Sequence, residues 1–216
     1  MIDTLLKQDL PKAYGFQRQN VSLRHRQETG IFELGDTVAC DSCKRSFADR
    51  KACNERCMRV DATDTTITVV EHEDYIRQFN GSRFATGGTC DLLMFDVEKH
   101  RKVVFCDLGC YSEKYVAKKQ TKSHQQVCNS MSRLLKQKCG QTFINQFSEK
   151  ILIFGRRDSN IDPAKVPVPS RDNVRGNMQS FIATPFSKAK YAVYHEVVEG
   201  IKVSFMIVNY PEPYIW

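Results

Sequence analysis

Residues 89–122 decide the fold, and they read TCDLLMFDVEKHRKVVFCDLGCYSEKYVAKKQTK. Two apolar runs, residues 90–95 and 102–108, flank a polar, charged segment at 96–101. Short runs rich in Val, Phe and Leu that are bounded by polar turn residues are typical of buried strands. The stretch therefore predicts a β-hairpin, and the polar, basic residues after it predict a helix.

A hairpin register symmetric about Lys99 brings two acidic side chains together. This register pairs Phe95 with Val103, and four residues further out it places Asp91 opposite Asp107. Directly opposed residues of two strands lie about 5 Å apart, so the two carboxylates repel each other. A divalent cation, a lysine or a shared proton would relieve this repulsion. The alternative is that each Asp only marks a strand end through its turn chemistry.

The pattern Asp91-x15-Asp107-Leu-Gly109, on a hairpin before a basic helix, resembles the core of the PD-(D/E)XK restriction-endonuclease-like superfamily. In that family the first Asp and a second acid hold Mg²⁺, and a Lys two residues later orients the attacking water. The resemblance covers residues 89–157 and implies that Asp91 and Asp107 are catalytic ligands of Mg²⁺. Gly109 stands where the family has its Lys.

The expected fold is mixed α/β (α+β), with a central mixed sheet flanked by helices and a restriction-endonuclease-like core at residues 89–157. β-Branched and apolar runs predict further strands on both sides of the hairpin. These runs are residues 31–34, 64–72, 149–155, 178–183, 191–198 and 201–209. We expect one domain over residues 1–216, in which the aromatic tail packs down or serves as a docking peptide.

A long helix is expected over residues 112–138, with Ser112 as its N-cap and Gly140 as its C-terminal stop. One stripe at helical spacing should face the sheet, and a second, basic stripe follows another face. The first stripe comprises Ala117, His124, Cys128, Met131 and Leu135. The second comprises Lys114, Lys118, Lys122, Gln125, Asn129, Arg133 and Lys136.

The basic stripe begins beside Asp107 in the predicted fold. Lys114 or Lys118 could therefore replace the lysine that is missing at Gly109, because some members of the family take this group from the helix. We also assign nucleic-acid contacts to Lys114, Lys118, Lys122 and Arg133. The alternative is that these side chains form a solvated helix face.

Residues 40–57 contain four cysteines, with the spacing C-x2-C-x9-C-x3-C. Four thiolates at Cys40, Cys43, Cys53 and Cys57 could close a tetrahedral Zn²⁺ site, as a zinc-knuckle insertion. The short central loop and the C-x3-C pair are less typical of such sites. The alternative is that these residues are unligated thiols or are partly paired with each other.

The composition limits which classes of protein are possible. The chain has 216 residues, 41% of them hydrophobic, nine cysteines and a formal net charge of +7. No apolar run is long enough for a membrane span, and the N-terminal residues do not form a secretory signal. Reduced thiols and a cytoplasmic location are therefore expected, and the positive charge permits binding to nucleic acid.

Other kinds of chemistry have weaker signals. The sequence lacks the serine hydrolase, zinc protease and dinucleotide-binding motifs. Cys106 or Cys110 with His124 could form a thiol nucleophile and base, and the five histidines show no spacing typical of a ligand pair. Glu33 is either an additional acid of a nuclease site or an exposed strand residue.

The sequence supports three candidate functions. The first is metal-dependent phosphodiester hydrolysis of DNA or RNA through Asp91 and Asp107. The second is a catalytically inactive nuclease-fold module that binds nucleic acid or a protein partner, as an accessory of a bacterial defence system or mobile element. A homodimer is a further expected assembly, and a zinc-dependent interaction protein is a third function, based on residues 40–57 alone.

Overall fold

The fold is that of a computed structural model, which describes residues 2–16, 20–35, 56–111, 113–161, 165–166 and 193–216. In these ranges eight strands form one mixed sheet, in the order β1-β2-β3-β4-β5-β7-β6, and β8 pairs with β2. The strands are β1 His25–Leu34, β2 Met58–Glu71, β3 Leu92–Asp96, β4 Lys102–Tyr111, β5 Glu149–Asp158, β6 Val193–Val198, β7 Ile201–Asn209 and β8 Pro213–Ile215. The predicted mixed α/β class is confirmed.

The helices of the described residues lie before and between these strands. The N-terminal helix α1 has a π-helical middle, and its parts are Ile2–Thr4, Leu5–Asp9 and Leu10–Ala13. The others are α2 His72–Arg77, α3 Val116–Leu135 and α4 Lys138–Asn145. In the part of the chain that the structure describes, no helix combines the length and the apolar character needed to cross a membrane.

The β3–β4 hairpin has the predicted register. Phe95 pairs with Val103, and the antiparallel ladder continues outward to Leu92 and Cys106. Asp96 closes the turn, because its carboxylate accepts hydrogen bonds from the backbone N–H groups of Arg101 and Lys102, the latter at 2.7 Å. This acid therefore has the turn role that the charged segment predicts.

Helix α3 carries the chain from β4 to β5, which pairs with β4 in parallel. Such a crossover connection is what parallel neighbours require. Strand β4 is buried except at Tyr111, and β5 is buried over residues 151–155. Their continuous apolar sequences fit this position, because a strand covered on both faces has no polar side.

Two cores cover the two faces of the sheet. Helices α1, α3 and α4 pack on the face that carries Phe105 and Phe154. The other face carries Cys106 and Ile153, and it packs against Met58 at the start of β2. Strand β2 therefore bends over the sheet, and the register with β1 shifts between residues 28 and 30, as expected of a β-bulge.

The predicted boundaries of the long helix are wrong at both ends. A 3₁₀ turn, Glu113–Tyr115, precedes α3, and Ser112 lies outside the described residues. Helix α3 ends at Leu135, and Gly140 lies inside α4 instead of ending a helix. The predicted core stripe is shifted as well, because Ala117 is exposed whereas Val127 is fully buried.

Gly140 is required by the close approach of α4 to the end of α3. A Cβ added at this position would overlap the backbone carbonyl group of Leu134. Since a backbone carbonyl cannot swing aside, Gly140→Ala should lower the free energy of unfolding by about 1–3 kcal/mol. Urea denaturation would measure this, with Lys138→Ala on the same helix as an exposed control. Equal stability of the two variants would contradict the tight contact.

The C-terminal hairpin is confirmed. Strands β6 and β7 pair antiparallel around Glu199 and Gly200, which have positive φ angles of 48° and 81°. The tail packs down, as one of the two alternatives predicted. Tyr214 is buried, and the Trp216 backbone N–H donates to the Asp61 carbonyl group at 2.9 Å.

Candidate functional site

Asp91 and Asp107 lie at one end of the β3–β4 pair, and we call them the carboxylate edge. Asp91 precedes Leu92 and Asp107 follows Cys106, the last paired residues of the ladder. Asp91 Oδ2 accepts a hydrogen bond of 2.6 Å from the backbone N–H of Leu108. Asp91 therefore ends the ladder, which agrees with the predicted strand-end role, and both acids lie just beyond the last paired residues.

The carboxylate edge faces the helices. Phe105 belongs to the core under the helices and Cys106 to the opposite core, so strand alternation returns Asp107 to the helix face. Asp107 is 6% exposed, whereas Asp91 is half-buried. A cation held between these carboxylates would thus lie beside the sheet end and not on an open surface.

Two buried thiols flank the carboxylates. Burial raises the pKa of Cys90 and of Cys106, and the negative charges of Asp91 and Asp107 raise both pKa values further. Both thiols therefore remain protonated at neutral pH, and a protonated thiol is a poor nucleophile. Cys110 is buried as well, 3.4 Å from a guanidinium nitrogen of Arg157.

His72 is a buried histidine next to the carboxylate edge. Its backbone N–H donates to the Asp91 carbonyl group at 2.8 Å, and its ring lies near those of Tyr75 and Phe105. The side chain is 1% exposed, and neither ring nitrogen has a hydrogen-bond partner among the described residues. Burial, with a smaller effect from the charge of Arg133, lowers the pKa of His72 to about 3. His72 is therefore neutral at physiological pH.

Arg133 is not part of an exposed basic face, so its predicted position is wrong. Its side chain is buried, and one guanidinium nitrogen donates to the carbonyl groups of Thr86 and Gly88, at 2.9 and 3.0 Å. A second guanidinium nitrogen lies 3.3 Å from the hydroxyl of Thr89. Arg133 thus fixes the loop that leads into Asp91.

The lysines near the start of α3 do lie at the surface. Lys114, Lys118 and Lys122 are exposed. Lys119, which is outside the basic stripe predicted from helical spacing, has its ammonium group 4.7 Å from the centre of the Tyr111 ring.

The space above Gly109 is filled by this same Tyr111 ring. A Cβ added at Gly109 would overlap the ring. Because Gly109 and Asp107 are two residues apart on β4, their side-chain positions share one face of the strand. Lys119 therefore contacts the ring that fills the space above Gly109.

A groove of about 520 Å³ lies between α2 and α3, beside the carboxylate edge. Glu73 on its wall donates its backbone N–H to the Asp91 carbonyl group at 3.2 Å. Lys122 supplies positive charge to the lining, whereas Arg77 forms an ion pair of 2.9 Å with Glu73, which also lines the groove. Gly87 and Gly88 line it too, with positive φ angles of 92° and 80°.

Glu33 is neither an exposed residue nor a member of the carboxylate edge. Its carboxylate forms ion pairs with Arg56 and Arg59, and the hydroxyl of Tyr210 donates to it at 3.1 Å. Burial alone would raise the pKa of Glu33, but the hydrogen bonds from both arginines outweigh it and lower the pKa. The cluster joins β1, β2 and the C-terminal segment.

The predicted zinc knuckle falls largely outside the described residues. Cys40, Cys43 and Cys53 lie there. Cys57 is buried in the core on the face opposite the helices, and its backbone N–H donates to the Leu34 carbonyl group at 2.7 Å.

Among the described residues, one group of three side chains converges in a way that could hold a metal ion, and it consists of His124, Cys128 and Glu196. His124 Nε2 lies 2.9 Å from both carboxylate oxygens of Glu196 and 3.6 Å from Cys128 Sγ. Burial, followed by the charge of Glu196, raises the pKa of Cys128 to about 12. We call these residues the His-Cys-Glu cluster.

Part of this cluster has a signal in the sequence. His124 and Cys128 are four residues apart, the spacing that places two side chains on one side of a helix. The spacing of the five histidines among themselves does not indicate this group, because His124 meets a cysteine and a glutamate instead of a second histidine. Comparisons with protein-family models, with curated proteins and with solved structures find no match for this chain.

Proposed function

We propose that the protein is a metal-dependent phosphodiester hydrolase of the PD-(D/E)XK type that acts on DNA or RNA. The observation that carries the proposal is the position of Asp91 and Asp107 at one end of the β3–β4 pair. The order of hairpin, helix α3 and parallel strand β5 agrees with the core that the resemblance implies.

In this proposal Asp91 and Asp107 hold Mg²⁺. Magnesium binds through one or two carboxylates and completes its octahedral shell with water and substrate phosphate oxygens. The ion would polarise the phosphate and lower the pKa of the attacking water. The groove beside Asp91 would receive the nucleic-acid backbone, because Lys122 brings positive charge to its wall and the exposed Lys118 lies one helical turn before it on α3.

Lys119 is our choice for the lysine that Gly109 does not supply. Its ammonium group lies over the Tyr111 ring, which covers Gly109. The exposed Lys114 and Lys118 are assigned to the phosphate backbone, to which a flexible surface lysine adds charge without fixed geometry.

The alternative is an inactive nuclease-fold module that binds nucleic acid or a protein partner. Two observations favour it: the Tyr111 ring fills the space above Gly109, and Asp91 already accepts a backbone hydrogen bond. An accessory role in bacterial defence or a mobile element belongs to this alternative. A cytoplasmic location, a homodimer and a zinc knuckle at residues 40–57 are proposals that fit either function.

Cation-dependent thermal stability tests the carboxylate edge. At Mg²⁺ or Mn²⁺ concentrations of about 100 times the Kd, binding should stabilise the fold by about 2.7 kcal/mol, which raises Tm by about 5–10 °C. The shift should disappear in Asp91→Asn, and it should persist in Cys128→Ser, which alters the His-Cys-Glu cluster instead. An unchanged shift in Asp91→Asn would contradict the assignment.

Cleavage then separates the two functions. Plasmid and single-stranded DNA and RNA would be incubated with Mn²⁺ and the full chain. Cleavage together with the thermal shift is the outcome expected of a hydrolase. A thermal shift without cleavage of any of these substrates would favour the binding module.

A further inference from the structure

We propose that His124, Cys128 and Glu196 form a zinc site that ties helix α3 to strand β6. The site is separate from the carboxylate edge, with other residues and another metal, so it does not depend on the proposed function. Its ligands are an imidazole nitrogen, a thiolate and a carboxylate. This mixed set suits Zn²⁺, whereas Mg²⁺ prefers oxygen ligands alone.

The separations of the ligand atoms fit a tetrahedral ion. With Zn–S near 2.3 Å and Zn–N or Zn–O near 2.1 Å, tetrahedral angles put S–N and S–O pairs about 3.6 Å apart and the N–O pair about 3.4 Å apart. Cys128 Sγ lies 3.6 Å from His124 Nε2 and 3.8 Å from Glu196 Oε1. Two of the three distances between ligand atoms therefore agree within about 0.2 Å with those of a tetrahedral zinc site.

The third distance, between His124 and Glu196, is shorter than a tetrahedral zinc site requires. His124 Nε2 and the Glu196 oxygens are 2.9 Å apart, which is the length of a hydrogen bond between them. A zinc ion would replace this hydrogen bond and widen the pair by about 0.5 Å. Glu196 lies on edge strand β6, so a shift of this size displaces no further strand of the described sheet.

The fold holds the ligands before any metal binds. His124 and Cys128 are one helical turn apart on α3, and the His124 ring packs edge-on against Phe205 of β7, with centroids 4.8 Å apart. Beyond the cluster, Ser132 donates to Glu199 at 2.5 Å, which also joins α3 to the β6–β7 hairpin. Preorganised ligands on rigid elements lose little entropy on binding.

The cluster is accessible from solvent. The side chains of His124 and Glu196 are 38% and 29% exposed. An ion can therefore enter directly, and water can supply the fourth ligand. Three protein ligands with one such position leave the zinc open to an additional donor.

The test must separate this site from the cysteines of residues 40–57. Zinc content would be measured after equilibration with Zn²⁺ and gel filtration, in a Cys40→Ser/Cys43→Ser background. We expect about one equivalent of zinc, and we expect Cys128→Ser or Glu196→Gln in that background to weaken zinc binding at least tenfold. Cys139→Ser, which changes another half-buried thiol, is the matched control and should leave binding unchanged.

Cobalt provides an independent readout. Co²⁺ bound to the double variant should show the absorption of a tetrahedral ion with a thiolate charge-transfer band, and Cys128→Ser should remove that band. Absence of bound zinc in the double variant, or binding that Cys128→Ser leaves unchanged, would overturn the proposal. If the double variant does not fold, Cys128→Ser in the otherwise wild-type chain must remove one equivalent of zinc, and retention of that equivalent is the contrary result.

Discussion

Replacing Asp107 by asparagine should lower the rate of metal-dependent cleavage by about a thousandfold. The change keeps the shape of the side chain but removes a negative charge from the carboxylate edge. A lost metal ligand removes several kcal/mol of transition-state stabilisation, and about 4 kcal/mol corresponds to a factor of a thousand. Initial rates with Mn²⁺ on the substrate that the wild type cleaves would measure the effect.

Asp61→Asn is the matched control for this variant. Asp61 is a half-buried carboxylate of β2, and its side chain accepts hydrogen bonds from Thr63. Its replacement should leave the cleavage rate within a factor of a few. If Asp107→Asn folds normally and retains wild-type activity, Asp107 is not a ligand of the proposed metal site.

The second large effect concerns stability in acid. His72 is neutral in the folded protein down to pH values near its lowered pKa of about 3, whereas in the unfolded chain it gains a proton below about 6.5. Between these values the unfolded state binds more protons, so stability falls as the pH falls. The loss from this residue amounts to about 4 kcal/mol between pH 7 and pH 3, at about 1.4 kcal/mol per pKa unit.

His72→Phe removes this titration and should flatten the acid limb of the stability curve. The aromatic replacement fits the neighbouring rings of Tyr75 and Phe105 and buries no unpaired nitrogen. Urea unfolding at a series of pH values between 3 and 7 would measure the difference between variant and wild type. His195→Gln, at an exposed position, is the control. A variant with the wild-type pH dependence would show that His72 does not resist protonation.

The hairpin and its register could be predicted because a strand has a period of two. Once Phe95 and Val103 are paired, every outer pair is fixed, and the ladder follows to Leu92 and Cys106. The β6–β7 hairpin follows from its apolar strands around Glu199 and Gly200, and the start of β5 follows from a continuous apolar run, although β5 extends beyond the predicted end at residue 155 to Asp158. The turn at residues 96–101 was also visible in the local sequence, and the hydrogen bonds that Asp96 accepts within it come from residues five and six positions away.

The helix surface was harder to predict because two faces of α3 are polar in sequence. Arg133 has the same spacing as the exposed lysines, but it is buried because its guanidinium group donates to the carbonyl groups of Thr86 and Gly88. These partners are more than forty residues away along the chain. Helical periodicity identifies a face, but it does not reveal which tertiary partner the face meets.

The His-Cys-Glu cluster shows the same limit. The spacing of His124 and Cys128 is visible in the sequence, but Glu196 comes from a hairpin 68 residues beyond Cys128. No local pattern connects that hairpin to α3. Glu196 could be identified as the third member of the cluster only from the fold, which places β6 at the end of the sheet beside α3.

The pairing of β8 with β2 has a consequence for how the chain folds. Arg59 pairs with Pro213, so this contact closes a loop that spans most of the sequence. The β3–β4 and β6–β7 hairpins close only short loops, and loop closure becomes costlier as length grows. We therefore infer that the two hairpins form early and that the bent half of β2 is locked last. Refolding rates should accordingly respond more to changes in the hairpins than to changes in β8.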